Sequence, residues 1–260
     1  LLAALSPEAT GFVFPNEVEV QWSILIVVYP FMTGLVAGAF ILASLVKLFK
    51  IQAVAPLYRP AMLTALAFML AAPLPLLLHL TYPGRFYEIL LTPNPSSAMA
   101  MFGFVYAWYL AVVLLLEIWF EYRRDLVIWG QTRRAPLRWL YKLLSLFSRD
   151  VSEKAIAFDH KATLVITIIG VPSAFLLHGY VGFIFGSIKA NPWWSSVLMP
   201  IVFLFSAIVS GIALVILLYM IVTPLRKEPI DMACLDKAMS YLFYAVLVDF
   251  SLEALDFIHR

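Results

Sequence analysis

Long apolar stretches separated by short polar ones run along the whole chain. A helix that crosses a bilayer needs about 20 consecutive, mostly apolar residues. Six stretches reach this length, at roughly 21–46, 58–80, 98–119, 161–186, 195–223 and 234–257. The pattern predicts an all-α transmembrane protein, a polytopic helix bundle with six visible spans.

The cationic residues are concentrated on one side of these predicted spans. Fifteen of the 18 Lys and Arg residues fall in alternate loops or beside them, and only Arg85, Lys189 and Arg260 fall on the other side. Basic loops of membrane proteins stay in the cytoplasm. The chain is therefore expected to begin outside, with the loop after the second span also facing outward.

The composition supports a membrane protein. Apolar residues make up 63% of the chain and charged residues 13%, against about 45–50% and 25% in soluble domains. These values exclude a water-soluble monomer and an intrinsically disordered chain. The single cysteine, Cys234, excludes a disulfide framework within the chain. Because the sequence begins with Leu1 and stops just after an apolar run, we expect it to be cut at one or both ends.

The longest connection contains a segment, at about 123–150, with the character of a basic amphipathic helix. Its apolar residues recur at helical spacing, as Trp139, Leu140, Leu143, Leu144 and Phe147, beside the cations Arg138, Lys142 and Arg149. This pattern is typical of a helix that lies in the inner membrane interface. The segment either anchors the chain at that surface or docks a cytoplasmic partner.

Polar groups inside the spans are candidate functional residues, because ionisable side chains are costly in a bilayer. At a rise of about 1.5 Å per residue, Tyr29, His79, His178 and Asp249 all lie toward the outer side, and the outer loop adds Arg85. We expect this set to surround one site. A helix-end position at the headgroups would equally explain His79, and a bond to a neighbouring helix would explain His178.

A second set of ionisable groups lies at the cytoplasmic ends of the spans: Glu117, Asp159, His160 and Asp231. Salt bridges to cations nearby in sequence explain this set, since charges at helix ends need no further function. The alternative is proton uptake on the inner side, through Glu117 and Asp159. The four histidines, at 79, 160, 178 and 259, lie on different elements and do not form the pairs that a two-haem bundle needs. The chain is predicted to bind no haem or metal.

Three longer strings resemble a known family. They are FPNE at 14–17, PGRFYEILLTPNPSSAM at 83–99, and LLHGYVGFIFGSIKANPWWSSVLMPIVFLFSAIVSGIAL at 176–214. The second matches a Pro-x-Arg-Phe plus Pro-Asn-x-Ser-Ser-x-Met signature. The chain resembles the NrfD family, the membrane subunits of polysulfide reductase-like (PsrC) complexes, and within it the larger members such as DsrP of the Dsr sulfite-reduction-associated complex.

The resemblance implies one integral membrane domain over 1–260, from a protein of eight to ten spans, in the cytoplasmic membrane of a prokaryote. It also implies a quinone, of the menaquinone type, bound near the outer face. Electrons would be exchanged with a ferredoxin-like iron–sulfur subunit on that face, and further redox subunits, a cytochrome or a catalytic subunit, would join it. The direction of electron flow stays open.

Under this resemblance the candidate residues receive roles. Quinone binding is expected from Tyr29, His79, Arg85 and His178, and catalysis from His178 and Asp249. A proton path is expected from Asp249, Glu253, Glu117 and Asp159. Tyr29 stands where the polysulfide reductase subunit has a first-helix histidine, so the partner of the quinone carbonyl differs here.

Two other functions fit a chain of this kind. A secondary transporter would show inverted repeats and helices broken at the midplane, and the sequence has several prolines within its spans but no matching halves. A purely structural membrane anchor would have no quinone site. A quinone bound to the purified complex would separate the three functions.

Overall fold

The computed structural model describes residues 22–80, 82–92 and 94–259, and within these ranges it contains helices and no strands. The FPNE string lies outside the described residues. The helices are α1 (Ile24–Leu48), α2 (Ala55–Ala71), α3 (Pro73–His79), α4 (Glu88–Leu91), α5 (Ala98–Trp108), α6 (Leu116–Thr132), α7 (Leu137–Leu144), α8 (Glu153–Gly186), α9 (Met199–Leu225) and α10 (Met232–His259). Short 3₁₀ turns at Gln52–Val54 and Pro83–Arg85 precede α2 and α4.

Five of the predicted spans are confirmed as helices long and apolar enough to cross a membrane. They are Ile24–Leu48, Gln52–His79, Ala98–Thr132, Glu153–Gly186 and Met199–Leu225. The third and fourth extend well past the predicted boundaries at 119 and 161, to 35 and 34 residues. Such helices are about 50 Å long, so they project beyond the roughly 30 Å hydrocarbon core. Their extra turns are polar. Hydropathy therefore assigns these turns to loops, although they are helical.

The sixth predicted span is also a helix, α10, with 28 residues. It is not among the five described helices with the length and apolarity of a span. Charged residues occur in both of its halves, as Asp236, Lys237, Asp249, Glu253 and Asp256. Only Cys234 and Ala238 of this helix are buried, so α10 packs lightly against the rest of the bundle. Its passage through the membrane stays a prediction.

Helix α1 lies at the centre of the bundle and contacts α2, α3, α8 and α9. Its contact with α9 is between backbones: a Cβ atom added to Gly38 would lie 2.9 Å from the Gly211 Cα and would overlap the Ala207 carbonyl. A Cβ on Gly211 would lie 2.5 Å from the Ala39 nitrogen. Small residues allow such close approach in lipid, where helices have no hydrophobic reason to associate.

A π-helical stretch, Tyr109–Leu115, joins α5 to α6. It lies in the middle of the third span and is bounded by regular α-helix on both sides. Its hydrogen bonds run from residue i to i+5, one residue further than in an α-helix, and such segments are frequent at functional sites. Tyr109 at its start is fully buried, and its hydroxyl has no hydrogen-bond partner among the described residues.

The predicted amphipathic segment is divided in the structure. Helix α6 continues through 123–132, and the amphipathic helix itself is the eight-residue α7, which packs on α6. Pro136 directly precedes α7. Trp139 and Leu143 of α7, and Phe147 in the turn after it, are exposed.

The backbone contact between α1 and α9 predicts a strong effect of one methyl group. Gly38→Ala should lower the free energy of unfolding by about 1–3 kcal/mol, because the new Cβ has no space. Gly179→Ala is the matched control in α8, where a Cβ meets nothing within 4 Å. Thermal unfolding of the two purified variants in one detergent measures the difference. Equal melting temperatures would contradict the packing described.

Candidate functional site

A cavity of about 740 Å³ opens at the end of the bundle that carries the loop between α3 and α5. We call it the outer cavity. Its apolar walls include Leu76, Leu77, Phe86, Ile89, Leu90 and Phe102. Its polar side chains are Tyr29, Tyr82, Arg85, Glu88 and Tyr106. An apolar cleft with a few polar groups is the usual form of a small-molecule site.

Tyr29 is the polar residue that α1 contributes to the outer cavity. Its ring packs edge-on against Phe102, with centroids 5.6 Å apart and planes at 88°. The residue is 5% exposed, so its orientation is fixed by packing. Within the described part of the chain, no hydrogen bond to the Tyr29 hydroxyl is found. Tyr29 thus adds a polar side chain to the wall of the outer cavity.

Tyr106 lines the same cavity but has a structural partner. Pro73 lacks an N–H, so the carbonyl of Met69, four residues earlier, receives no helical hydrogen bond. The Tyr106 hydroxyl donates to that carbonyl instead. The break between α2 and α3 thus shapes one wall of the cavity and fixes a side chain from α5. Apart from the position of Pro73, nothing in the sequence indicates this pairing.

Arg85 lies at the mouth of the outer cavity and forms a two-point ion pair. Its Nε and Nη2 atoms donate to the two carboxylate oxygens of Glu88, at 2.8 and 2.9 Å. These hydrogen bonds hold the pKa of Glu88 below its ordinary value. The Arg85 side chain is 66% exposed. It therefore lies at the protein surface rather than in the apolar interior.

His178 lies against a different, second cavity of about 340 Å³, formed by α1, α8 and α9 together with Glu253 of α10. Its ring stands beside Gly34, where a Cβ would come within 2.9 Å of its Cε1 atom, and it contacts Phe203 at 5.6 Å between centroids. Its Nδ1 atom is buried without a hydrogen-bond partner in the described residues. Ser206 lines the same cavity.

The remaining outer candidates are dispersed. The Nδ1 atom of His79 is 2.9 Å from the hydroxyl of Ser23, the N-cap of α1, which agrees with a helix-end role. Asp249 lines neither cavity, although its Oδ1 atom is enclosed without a partner among the described residues. The five expected residues therefore do not surround one cavity. Tyr29 and Arg85 share the outer cavity, and His178 lies in the second.

We call the end of the bundle that carries most of the Lys and Arg residues the basic end. The acids at this end occupy two distinct environments. Arg123 holds Asp159 in a buried ion pair, with contacts of 2.7–2.8 Å, and this cation is on another helix rather than near Asp159 in sequence. The same guanidinium donates to the Asp150 carbonyl at 2.6 Å and the Ser148 hydroxyl at 3.3 Å. Asp159 is therefore held in place between α6 and α8.

Glu117 is fully buried and makes no salt bridge within the described ranges. Its Oε1 atom accepts hydrogen bonds from the Tyr58 hydroxyl at 2.9 Å and the Thr167 hydroxyl at 2.8 Å, while Oε2 has no partner among the described residues. The neighbouring cation Lys47 pairs with Glu121 instead, at 2.8 Å. Sequence reasoning missed Tyr58 and Thr167, since neither lies near Glu117 along the chain.

The other two ionisable residues predicted at this end, Asp231 and His160, are not part of either environment. Asp231 precedes α10, where its carboxylate accepts from the Cys234 N–H at 3.1 Å. His160 is exposed. Over the ranges 22–80, 82–92 and 94–259, no group of three His, Cys, Asp or Glu side chains is arranged to hold a metal ion.

Span-length apolar helices packed around a buried central helix define a polytopic helical membrane protein. The family described as Polysulphide reductase, NrfD matches residues 14–255, and the chain belongs to this family.

Curated relatives come from several organisms. A selenate reductase subunit from Mesobacillus selenatarsenatis is 32% identical over 76% of this chain and 48% of its own length. A putative dimethyl sulfoxide reductase membrane subunit from Halobacterium salinarum is 29% identical over 75% and 42%. Protein NrfD of Escherichia coli is 29% identical over 75% and 58%. The chain thus spans about half the length of these relatives, and the nearer resemblance to DsrP stays an expectation.

The ion pair between α6 and α8 predicts a large loss of stability when one partner is removed. Arg123→Gln should lower the free energy of unfolding by about 3–5 kcal/mol, because Asp159 would remain buried without its cation. The neighbouring Arg124 is exposed, so Arg124→Gln should have little effect. Denaturant unfolding of the purified chain measures both. The double variant Arg123→Gln/Asp159→Asn should recover part of the loss, and no recovery would show that the pairing itself is unimportant.

Proposed function

We propose that the chain is the quinone-reactive membrane subunit of a respiratory redox complex, and that the quinone head group binds in the outer cavity. The observation that carries this proposal is the outer cavity itself. It combines apolar and aromatic walls with a Tyr29 hydroxyl that has no partner among the described residues. A quinone is a flat apolar ring with two carbonyl acceptors, so it needs such walls and one or two donors.

The size and chemistry of the outer cavity suit this substrate class. Its volume of about 740 Å³ falls in the range of roughly 300–1,000 Å³ usual for small-molecule sites. Tyr29 would donate a hydrogen bond to one carbonyl, and Phe102 would pack on the ring. Arg85 and Glu88 would lie at the entrance, near the headgroups.

The electrons need a route away from the quinone. Quinol oxidation releases two electrons and two protons. We propose that the electrons are exchanged with a ferredoxin-like iron–sulfur subunit docked at the loop between α3 and α5, and that a cytochrome or catalytic subunit follows it. The names of the relatives support a reductase complex, since two of them are subunits of a selenate reductase and of a dimethyl sulfoxide reductase. A menaquinone-type quinol in a prokaryotic cytoplasmic membrane is the proposed substrate.

The protons would leave through acids near the second cavity. Asp249 has an enclosed carboxylate oxygen without a partner in the described residues, and Glu253 lies one helical turn further and lines the second cavity beside His178. We assign proton transfer to these three residues. Glu117 is the corresponding candidate at the basic end, and Asp159 is less available because Arg123 holds it.

Removing the Tyr29 hydroxyl should weaken quinone binding. Tyr29→Phe should raise the dissociation constant of a short-chain menaquinone analogue by about two- to tenfold, since one neutral hydrogen bond is lost. Ala107→Phe, which places a ring inside the outer cavity, should weaken binding further than Tyr29→Phe does. Titration of the purified chain in detergent measures both.

The matched control is Tyr244→Phe, because Tyr244 is 65% exposed on α10 and lies outside both cavities. It should bind the analogue as the unchanged chain does. If Ala107→Phe also binds normally, the quinone site lies elsewhere. If neither the unchanged chain nor any variant binds quinone, the result favours a structural anchor.

Removing the Asp249 carboxylate should slow turnover more than it weakens binding. Asp249→Asn in the intact complex should lower kcat of quinol oxidation by at least about tenfold, as the loss of a proton acceptor does. Asp236→Asn is the control, since Asp236 is exposed near the other end of α10. Glu117→Gln, measured in parallel, tests the basic end. Unchanged rates in both Asp249→Asn and Glu117→Gln would remove these acids from the proton path.

A further inference from the structure

A groove of about 600 Å³ lies at the basic end of the bundle, between α6 and the segment formed by α7 and the turn after it. We call it the basic groove. Its polar and charged lining consists of Gln131, Arg138, Lys142, Ser145, Ser148 and Arg149. It is separate from both cavities already described, and neither the family nor the proposed redox reaction assigns it a role.

Both walls of the basic groove are held by specific contacts. On α6, Gly130 faces α7, where an added Cβ would be 3.4 Å from the Lys142 nitrogen, so the two helices lie in ordinary van der Waals contact. The Trp119 indole N–H donates to the Leu144 carbonyl at 2.9 Å. Beyond α7, the Arg123 guanidinium binds the Ser148 hydroxyl. The groove is therefore a fixed feature of the fold rather than a gap beside a loose segment.

The cations of the groove are not paired with any acidic side chain that the structure describes. Residues 133–149 include five Lys and Arg residues and no Asp or Glu. Arg138, Lys142 and Arg149 form no ion pair within the described part of the chain. Three cations along one groove repel one another, so the site favours an anionic occupant.

The apolar residues of the same segment place the groove at the membrane surface. Trp139 is 65% exposed, Leu143 57% and Phe147 62%. An amphipathic helix buries such a face at the boundary between headgroups and acyl chains. The Lys142 ammonium lies over the Trp139 ring, 5.6 Å from its centroid, so cation and apolar face meet at one depth.

We propose that the basic groove binds the headgroup of an anionic phospholipid, such as phosphatidylglycerol or cardiolipin. Arg138, Lys142 and Arg149 contact the lipid phosphate, because Arg and Lys form strong charge-assisted hydrogen bonds to phosphate oxygens. The acyl chains lie along the exposed apolar face of α7. Basic pockets beside spanning helices bind such headgroups in other membrane proteins.

Native mass spectrometry of the purified chain tests this proposal. The chain, exchanged into detergent, is titrated with phosphatidylglycerol and, separately, with phosphatidylcholine. We expect one tightly retained phosphatidylglycerol and no comparable phosphatidylcholine. Arg138→Gln/Lys142→Gln/Arg149→Gln should weaken phosphatidylglycerol binding by more than about tenfold, since three cations act on the same headgroup.

The matched control removes three cations from the same end of the bundle but outside the groove, as Lys50→Gln/Lys154→Gln/Lys227→Gln. It should retain the lipid. Equal loss in the two triple variants would show diffuse attraction and overturn the proposal, as would equal retention of both lipids by the unchanged chain. Binding of inorganic phosphate by the unchanged chain, without retention of phosphatidylglycerol over phosphatidylcholine, would assign the groove to free phosphate instead.

Discussion

The close backbone contact between α1 and α9 is the constraint on which the arrangement of the bundle depends. Side chains in lipid gain little by leaving one apolar surface for another, so helix association relies on close packing. Gly38 and Gly211 allow that packing because neither carries a Cβ, and no side chain could occupy the space between them. Helix α1 is thereby fixed at the centre, with the outer cavity on one side and the second cavity on the other.

A proline gives the outer cavity its wall, and a hydroxyl group replaces the hydrogen bond that the proline removes. Pro73 leaves the Met69 carbonyl without a helical donor, and Tyr106 supplies one. An unsatisfied carbonyl in a spanning helix would be costly, since lipid offers no hydrogen-bond donor. The same hydroxyl that stabilises the break between α2 and α3 belongs to a residue that lines the cavity. The group that completes the hydrogen bonding of the helix break is therefore also part of the cavity lining.

Much of the fold, but less of the candidate site, can be predicted from the sequence. Span length and charge asymmetry depend on local composition, so five spans are placed correctly and only their polar extensions are missed. Depth along a helix follows from residue number, which placed Tyr29 and His178 toward the same end. The direction in which a side chain points around the helix depends on packing. Composition therefore could not show that α1 separates Tyr29 from His178.

Hydrogen-bond and ion-pair partners that are distant in sequence could not be predicted from it either. The predicted salt bridge of Asp159 exists because Arg123 lies on an adjacent helix. A salt bridge is predicted for Glu117 as well, yet its partners are the hydroxyls of Tyr58 and Thr167, on two other helices. Hydroxyl groups carry no charge pattern that a sequence could reveal.

The π-helical stretch Tyr109–Leu115 makes the third span two helices in different rotational phase. One residue inserted into an α-helix turns everything beyond it by about 100° and advances it by about 1.5 Å. The outer half thus presents Phe102 and Tyr106 to the outer cavity, while the inner half turns Glu117 into the core. A single-residue change in the length of this stretch would leave each half intact and still misalign one with the other. The number of residues in this stretch therefore sets the rotation of one half of the span relative to the other.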